Sequence, residues 1–195
     1  MNFYNDRMHE RYFTEGTPRQ GRLNALFLIH CLLLLSVFAA PSLSFAGPGR
    51  WEAQVTRVND GDTVTIKMDG KTYRTRLIGM DAPEMGQQPW GRKAKEHLQK
   101  IMNESSGKVQ AEMDVTKYDK YNRLLAYLWT NDGRMINEQM VLDGYAVLFT
   151  IQPNSRYVDR FKKAQHSARN DRRGIWGPDG LKEKPIAYKK KHPRK

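Results

Sequence analysis

Three short clusters in this chain carry residue types that could do chemistry together. The first is Asp60-Gly61-Asp62-Thr63, and the second runs Arg76-Leu77-Ile78-Gly79-Met80-Asp81-Ala82-Pro83-Glu84. The third is Asp119-Lys120-Tyr121-Asn122-Arg123. Taken singly, each has a structural explanation. Asp-Gly is ordinary turn vocabulary, Asp-Ala-Pro-Glu can cap a loop or helix, and Arg123 can be a solvated charge. Together they supply the parts that hydrolysis of a phosphodiester needs. Two aspartates from separate strands, a backbone carbonyl and waters can hold a hard divalent cation, which polarises a phosphoryl oxygen. Two arginines can bind a phosphate bidentately and stabilise charge on its equatorial oxygens. A carboxylate near them can orient or deprotonate the attacking water. His97 and His166 fall on expected helices, with neither partners nor metal-ligand spacing in view. Carboxylates and arginines are therefore the candidate catalysts.

The elements that must position these clusters are short. Trp51 to Asn59 and Thr63 to Met68 alternate polar and apolar residues, and Asp69-Gly70 after the second run signals a tight hairpin into a third strand, Lys71 to Gly79. Trp90 to Asn103 has helical spacing, with Ala94, Leu98, Ile101 and Met102 on one face. Lys108 to Val115 and Leu124 to Trp129 are expected strands, separated by a polar turn over residues 116–123. Asn137 to Leu142 and Asn154 to Asn170 are expected helices, the latter closed by Arg173-Gly174-Ile175-Trp176. The expected class is α+β: a five-stranded barrel of the oligonucleotide-binding (OB-fold) type with about three helices. Trp51, Trp90 and Trp129 are expected to pack rather than to stack on bases.

Bulk properties agree with a polyanionic partner without proving one. The 195 residues suit one domain with short appendages. An excess of 33 Lys+Arg over 21 Asp+Glu gives +12, which favours nucleic acid or an anionic membrane surface but is equally explained by solubility. Residues 1–46 read as a signal peptide or an N-terminal membrane anchor. Arg7, Arg11, Arg19 and Arg22 precede an apolar run over residues 23–40, and small residues lead to Ser44-Phe45-Ala46. The chain is thus expected to be exported, secreted or periplasmic, with anchoring through residues 23–40 left open. Cys31, the single cysteine, lies inside this segment, so cleavage leaves a protein without disulfides. From Gly47 onward 29 basic residues face 18 acidic ones, so the charge belongs to the folded part. Residues 47–50 read as a linker, residues 51–177 as the domain, and residues 178–195 as a basic disordered tail containing Lys189, Lys190, Lys191, Arg194 and Lys195.

The three clusters, in this order and with this spacing, resemble the staphylococcal nuclease (thermonuclease) family. The similarity runs from about Trp51 to Gly177 and ends in the Gly-Ile-Trp that often closes such domains. The resemblance implies a Ca²⁺-dependent nuclease cutting DNA and RNA, with unpaired stretches favoured and no organic cofactor. It implies that Asp62 and Asp81 ligate Ca²⁺ with the backbone carbonyl of Ala82, and that Glu84 is the general base. It implies that Arg76 and Arg123 grip the scissile phosphate, that Lys120 and Tyr121 contact a neighbouring phosphate, and that Asp60 supports the ligands rather than joining them. A small basic nuclease of this kind is expected to be a monomer.

Three departures bear on the carry-over. Ala82 stands where the family often has Thr, which a backbone ligand survives. The loop over residues 85–89 is shorter than in the type member, which bears on access to Glu84. Phe149, Thr150 and Ile151 stand near the place of a tyrosine pair by the bound base, so base preference does not transfer. Two other classes compete with the enzyme. A non-catalytic barrel that binds nucleic acid or protein has no need for Asp62, Asp81 and Glu84 around two arginines. A membrane-tethered structural protein whose basic face binds acidic lipid explains the charge and the apolar segment but not the clusters, and the basic tail can likewise touch an anionic membrane surface.

Overall fold

A computed structural model of the chain describes residues 49–193. The expected signal or anchor segment, residues 47–48 of the expected linker, and Arg194 and Lys195 lie outside the described residues. Among the described residues no helix is long and apolar enough to cross a membrane.

The strands are β1 (Arg50–Val58), β2 (Thr63–Met68), β3 (Lys71–Leu77), β4 (Gly79–Asp81), β5 (Lys108–Tyr118), β6 (Leu124–Trp129) and β7 (Val147–Phe149). The helices are α1 (Trp90–Glu104), α2 (Ile136–Leu142), α3 (Val158–Asn170) and α4 (Pro185–Lys191), with a 3₁₀ turn at Gly174–Trp176. Five strands close a barrel in the order β1-β2-β3-β6-β5, as expected of this α+β class. The β2–β3 hairpin turns at Asp69 and Gly70, whose φ angles of 48° and 75° are what a two-residue primed turn demands. β3 and β6 pair in parallel, with Arg76 opposite Leu125. β4 and β7, neither legible as a strand, form a separate two-stranded ladder, with Asp81 opposite Val147.

The core fills the barrel with Val64, Ile66, Leu77, Val109, Ala111 and Leu128, all fully buried. α1 covers one opening with the face the spacing predicted: Ala94, Leu98, Ile101 and Met102 are buried. Asn137, wholly buried on α2, accepts from the Leu128 amide at 2.9 Å and donates to the carbonyls of Ile78 and Ala126 at 2.9 and 3.1 Å. It thereby ties α2 and β6 to the corner between β3 and β4. At that corner Gly79 has φ +81°, and a Cβ there would lie 2.3 Å from Phe161 Cε2 of α3. Only glycine permits both the left-handed backbone and this close approach.

Three local expectations are corrected. α3 begins at Val158 rather than Asn154. The Asn154 side chain instead accepts from the Thr116 amide at 2.8 Å and donates to the Thr116 carbonyl at 2.9 Å, which holds it to β5 outside the helix. His97 does have a partner: its Nε2 lies 2.7 Å from Asp143 Oδ2, and its ring stacks on Tyr145 at 4.0 Å. The tail expected to be disordered over residues 178–195 is folded through most of its length. Trp90 Nε1 donates to the Asp179 carbonyl at 3.1 Å and Gln87 Nε2 to the Glu183 carbonyl at 2.9 Å. Pro185 then opens α4 as a buried first-turn residue. Lysine-rich composition argues for solvation, but here a buried proline and acidic partners give the segment somewhere to dock.

Candidate active site

Strand pairing brings the three clusters to one end of the barrel. Thr63 pairs with Arg76 across β2 and β3, which sets Asp62 beside the arginine. Leu124 pairs with Thr75 across β6 and β3, so Arg123, one residue earlier, arrives at the same end. The β3–β4 corner then carries Asp81, Ala82 and Glu84 over the top. Gly61 of the first cluster makes this fit possible. A Cβ there would lie 2.7 Å from the Cβ of Ala82 and 2.8 Å from that of Ala94, so the two carboxylate-bearing loops and α1 touch through a glycine.

At the centre, the Arg76 guanidinium bridges two aspartates. Its Nη1 is 2.5 Å from Asp62 Oδ2 and its Nη2 is 2.8 Å from Asp81 Oδ1. Asp62 Oδ2 also accepts from the Ala82 amide at 3.1 Å, and Asp62 Oδ1 from the Thr63 hydroxyl at 3.0 Å. Asp60 Oδ1 accepts from the Asp62 amide at 3.1 Å, a supporting contact that shapes the turn. Asp62, Arg76, Asp81 and Ala82 are all buried. Burial pushes the Asp62 carboxyl up, but the charges of Arg76 and Lys189 and the Ala82 hydrogen bond together hold it below its ordinary value. At Asp81 burial wins over Arg76 and Lys189, and the carboxyl is raised. Asp60 is raised as well, by burial and then by the charge of Asp62.

Arg123 is clamped within its own turn. Its Nε and Nη2 lie 2.8 and 2.7 Å from Asp119 Oδ2, while Asp119 Oδ1 accepts from the amides of Tyr121 and Arg123, each at 2.9 Å. These bonds outweigh the burial of Asp119 and lower its carboxyl. Tyr121 is exposed, and exposed Lys120 places its ammonium 5.1 Å from the Tyr121 ring centroid.

A cleft of about 580 Å³ opens on this constellation, lined by Asp62, Arg76, Glu84, Tyr121 and Arg123. Of the residues singled out from the sequence, the structure brings these five to one surface, with Asp81 and Ala82 directly beneath. Five further lining residues escaped sequence reasoning: Arg74, Tyr188, Lys189, His192 and Pro193. Arg74 lies two residues before Arg76 on β3, and strand periodicity alone could have placed both on one face. The other four come from the tail, where composition pointed away from any fold. A wider depression of about 800 Å³ along α1 involves none of the aspartates or arginines above. The cleft that holds the chemistry is the smaller one.

The donor set can be judged for a metal ion. No cluster of three or more His, Cys, Asp or Glu side chains poised for a metal occurs among the described residues. A closed protein cage is therefore not what Asp62 and Asp81 offer. Asp81 Oδ2, however, is buried without a hydrogen-bond partner, and an orphaned carboxylate oxygen of this kind calls for explanation. Two carboxylates and a carbonyl fit a hard oxygen-seeking cation that keeps several waters.

Comparison with known proteins gives this geometry relatives. Residues 74–178 match the family model described as staphylococcal nuclease homologue. That span holds Arg76, Asp81, Ala82, Glu84, Lys120, Tyr121 and Arg123, and begins after Asp62. The chain is 32% identical over 162 residues to the thermonuclease of Staphylococcus hyicus, covering 77% of this chain and 94% of that protein. It is 33% identical over 156 residues to the SPbeta prophage-derived endonuclease YokF of Bacillus subtilis (strain 168), covering 71% of this chain and 52% of that protein. It is 37% identical over 127 residues to the thermonuclease of Staphylococcus intermedius, covering 63% of this chain and 74% of that protein. The chain thus spans about half the length of YokF and nearly all of the Staphylococcus hyicus protein.

Proposed function

The chain belongs to the staphylococcal nuclease homologue family, and from that premise we propose that it is a calcium-dependent nuclease hydrolysing phosphodiester bonds of DNA and RNA. The observation that carries the reading is the meeting of Asp62, Asp81 and Arg76 beneath a cleft that Glu84 and Arg123 also line. The relatives named as thermonucleases and endonucleases support the same reaction class.

In this reading Asp62, Asp81 and the Ala82 carbonyl hold Ca²⁺, which supplies Lewis-acid polarisation of the phosphoryl group and offsets developing negative charge. Glu84 accepts the proton of the attacking water. Arg76, held between two aspartates, and Arg123, held by Asp119, meet the non-bridging oxygens in orientations set before substrate arrives, which avoids reorganisation during the reaction. Arg123 also stabilises the leaving side. Tyr121 and Lys120, exposed at the rim, contact a neighbouring phosphate, and single strands are favoured because their backbone enters the cleft without a partner strand. The N-terminal pattern supports export to a secreted or periplasmic location, with anchoring through residues 23–40 as the alternative, and the enzyme is proposed to act as a monomer.

The test is degradation of single-stranded DNA, duplex DNA and RNA by the full chain with Ca²⁺, with Mg²⁺ and with a calcium chelator, beside an Arg123→Ala control. Calcium-dependent cutting that falls by about 10²–10³-fold in the control is the expected result. Nucleic acid that is bound but never cut under any metal would move the chain to the non-catalytic binding modules.

A further inference from the structure

The C-terminal helix α4 delivers an ammonium group to the place where a cation is wanted. Lys189 Nζ lies 2.5 Å from Asp81 Oδ1 and 3.2 Å from Glu84 Oε1. The Lys189 side chain is 34% exposed and that of Asp81 only 1%, so the lysine reaches a buried carboxylate from a partly exposed position. Lys189 lies beyond residue 178, where the match to the family ends.

Contacts along the whole tail hold this lysine in place. The tail is tied to the start of α1 through Asp179 and to the loop after Glu84 through Glu183, by the Trp90 and Gln87 hydrogen bonds given above. Lys191 Nζ pairs with Glu183 at 2.5 Å, closing α4 on its own lead-in. A Cβ on Gly86 would lie 2.4 Å from the Tyr188 hydroxyl, so the loop after Glu84 is glycine where α4 sits. Tyr188 and His192 stack at 4.1 Å and line the cleft opposite Arg76 and Arg123.

Docking of Lys189 opposes binding of a divalent ion at Asp81. A calcium ion needs carboxylate oxygens at about 2.3–2.6 Å, and the ammonium already stands at that distance from the same carboxylate. Arg76 and Lys189 already share Asp81 Oδ1, so a divalent ion at Oδ2 would be a third cation on one buried carboxylate, repelled by both. The docked lysine also engages Glu84, the other group the reaction requires. Lys189 shares the cleft with Arg74, Arg76 and Arg123, but its ammonium is turned onto Asp81 and Glu84.

The structure assigns to Lys189 the role of an autoinhibitory latch: with α4 docked, its ammonium competes with Ca²⁺ for Asp81 and engages the Glu84 carboxylate, and cation binding releases the helix from the cleft. The inference rests on the calcium-dependent reading above. On release, Lys189, Lys190 and Lys191 become available to the phosphates of a bound strand, an electrostatic contribution that falls with salt.

The experiment compares the full chain with Lys189→Ala and Lys189→Arg, with folding of both checked by circular dichroism. Calcium affinity is measured by calorimetry without nucleic acid, hydrogen exchange of α4 amides with and without Ca²⁺, and cutting of single-stranded DNA in parallel. Lys189→Ala is expected to bind Ca²⁺ about ten-fold more tightly, a change of about 1.4 kcal/mol, while Lys189→Arg stays near the parent. Ca²⁺ is expected to speed exchange in α4 of the parent chain. Unchanged or weaker affinity in Lys189→Ala, or α4 exchange indifferent to Ca²⁺, overturns the latch. If the parent binds Ca²⁺ and cuts DNA while either of those holds, the latch alone falls. A chain that neither binds Ca²⁺ nor cuts nucleic acid overturns the nuclease reading and the latch with it.

Discussion

Arg76 and Asp81, five residues apart in sequence, meet at 2.8 Å on opposite sides of the β3–β4 corner, with Asp81 entirely buried. The same guanidinium holds Asp62, so one cation offsets two buried carboxylates that otherwise repel each other. Arg76→Met keeps much of the volume and removes the charge. It is expected to cost about 3–5 kcal/mol of stability, the usual penalty for stripping the partner from a buried charge, and at least about 10²-fold in cutting rate. Urea unfolding and DNA degradation measure the two. Unaltered stability would mean that the aspartates do not depend on this arginine.

The Asp119 clamp makes a separable prediction. Asp119→Ala removes both side-chain bonds to Arg123 and both backbone bonds of the turn. Cutting should fall by about ten- to a hundred-fold, with Ca²⁺ affinity unchanged because no proposed ligand is touched. An equal loss of calcium affinity would place Asp119 in the metal site instead.

The clamp should also survive mild acid. Because the folded carboxyl of Asp119 is lowered, its stabilising effect is complete above the ordinary aspartate value of 3.8 and is lost only as pH falls through the lower folded value. Amide resonances of Tyr121 and Arg123, followed by NMR between pH 6 and pH 2, are expected to titrate with a midpoint below 3.8. A midpoint above it contradicts the direction argued here.

Gly79 is expected to tolerate nothing larger. Alanine there meets the Phe161 ring at 2.3 Å and must adopt φ +81°, so Gly79→Ala should cost roughly 2–5 kcal/mol from overpacking and backbone strain together. A thermal midpoint within a degree or two of the parent would show that α3 yields easily.

Asn137→Ala leaves the Leu128 amide and the carbonyls of Ile78 and Ala126 without their side-chain partner in the core. A loss of roughly 2–4 kcal/mol is expected. A neutral substitution would indicate that solvent or a shifted strand replaces all three bonds.

Local signals were reliable wherever neighbours in sequence decide the outcome. The Asp69-Gly70 hairpin, the buried stripe of α1 and the five barrel strands follow from turn chemistry and periodicity. The short β4 and β7 were not legible, because three residues carry no period and both strands pack against helices elsewhere in the chain. Asn154 looked like the start of a helix until Thr116, 38 residues away, claimed its side chain. His97 looked solitary because Asp143 is 46 residues distant.

The sequence by itself determined the chemical inventory: which carboxylates, arginines and glycines exist, in what order, and which strands carry them. Tertiary structure alone decided which charges share a site. The β2–β3 hairpin and the β3–β4 corner set Asp62, Arg76 and Asp81 within hydrogen-bonding distance, and barrel closure through β3 and β6 brings Arg123 to the same cleft. It also gives Lys189, 108 residues after Asp81, a pocket of unmatched negative charge to enter. Electrostatic energy depends on distance through space and on burial, and neither can be read along the chain until the fold has set both.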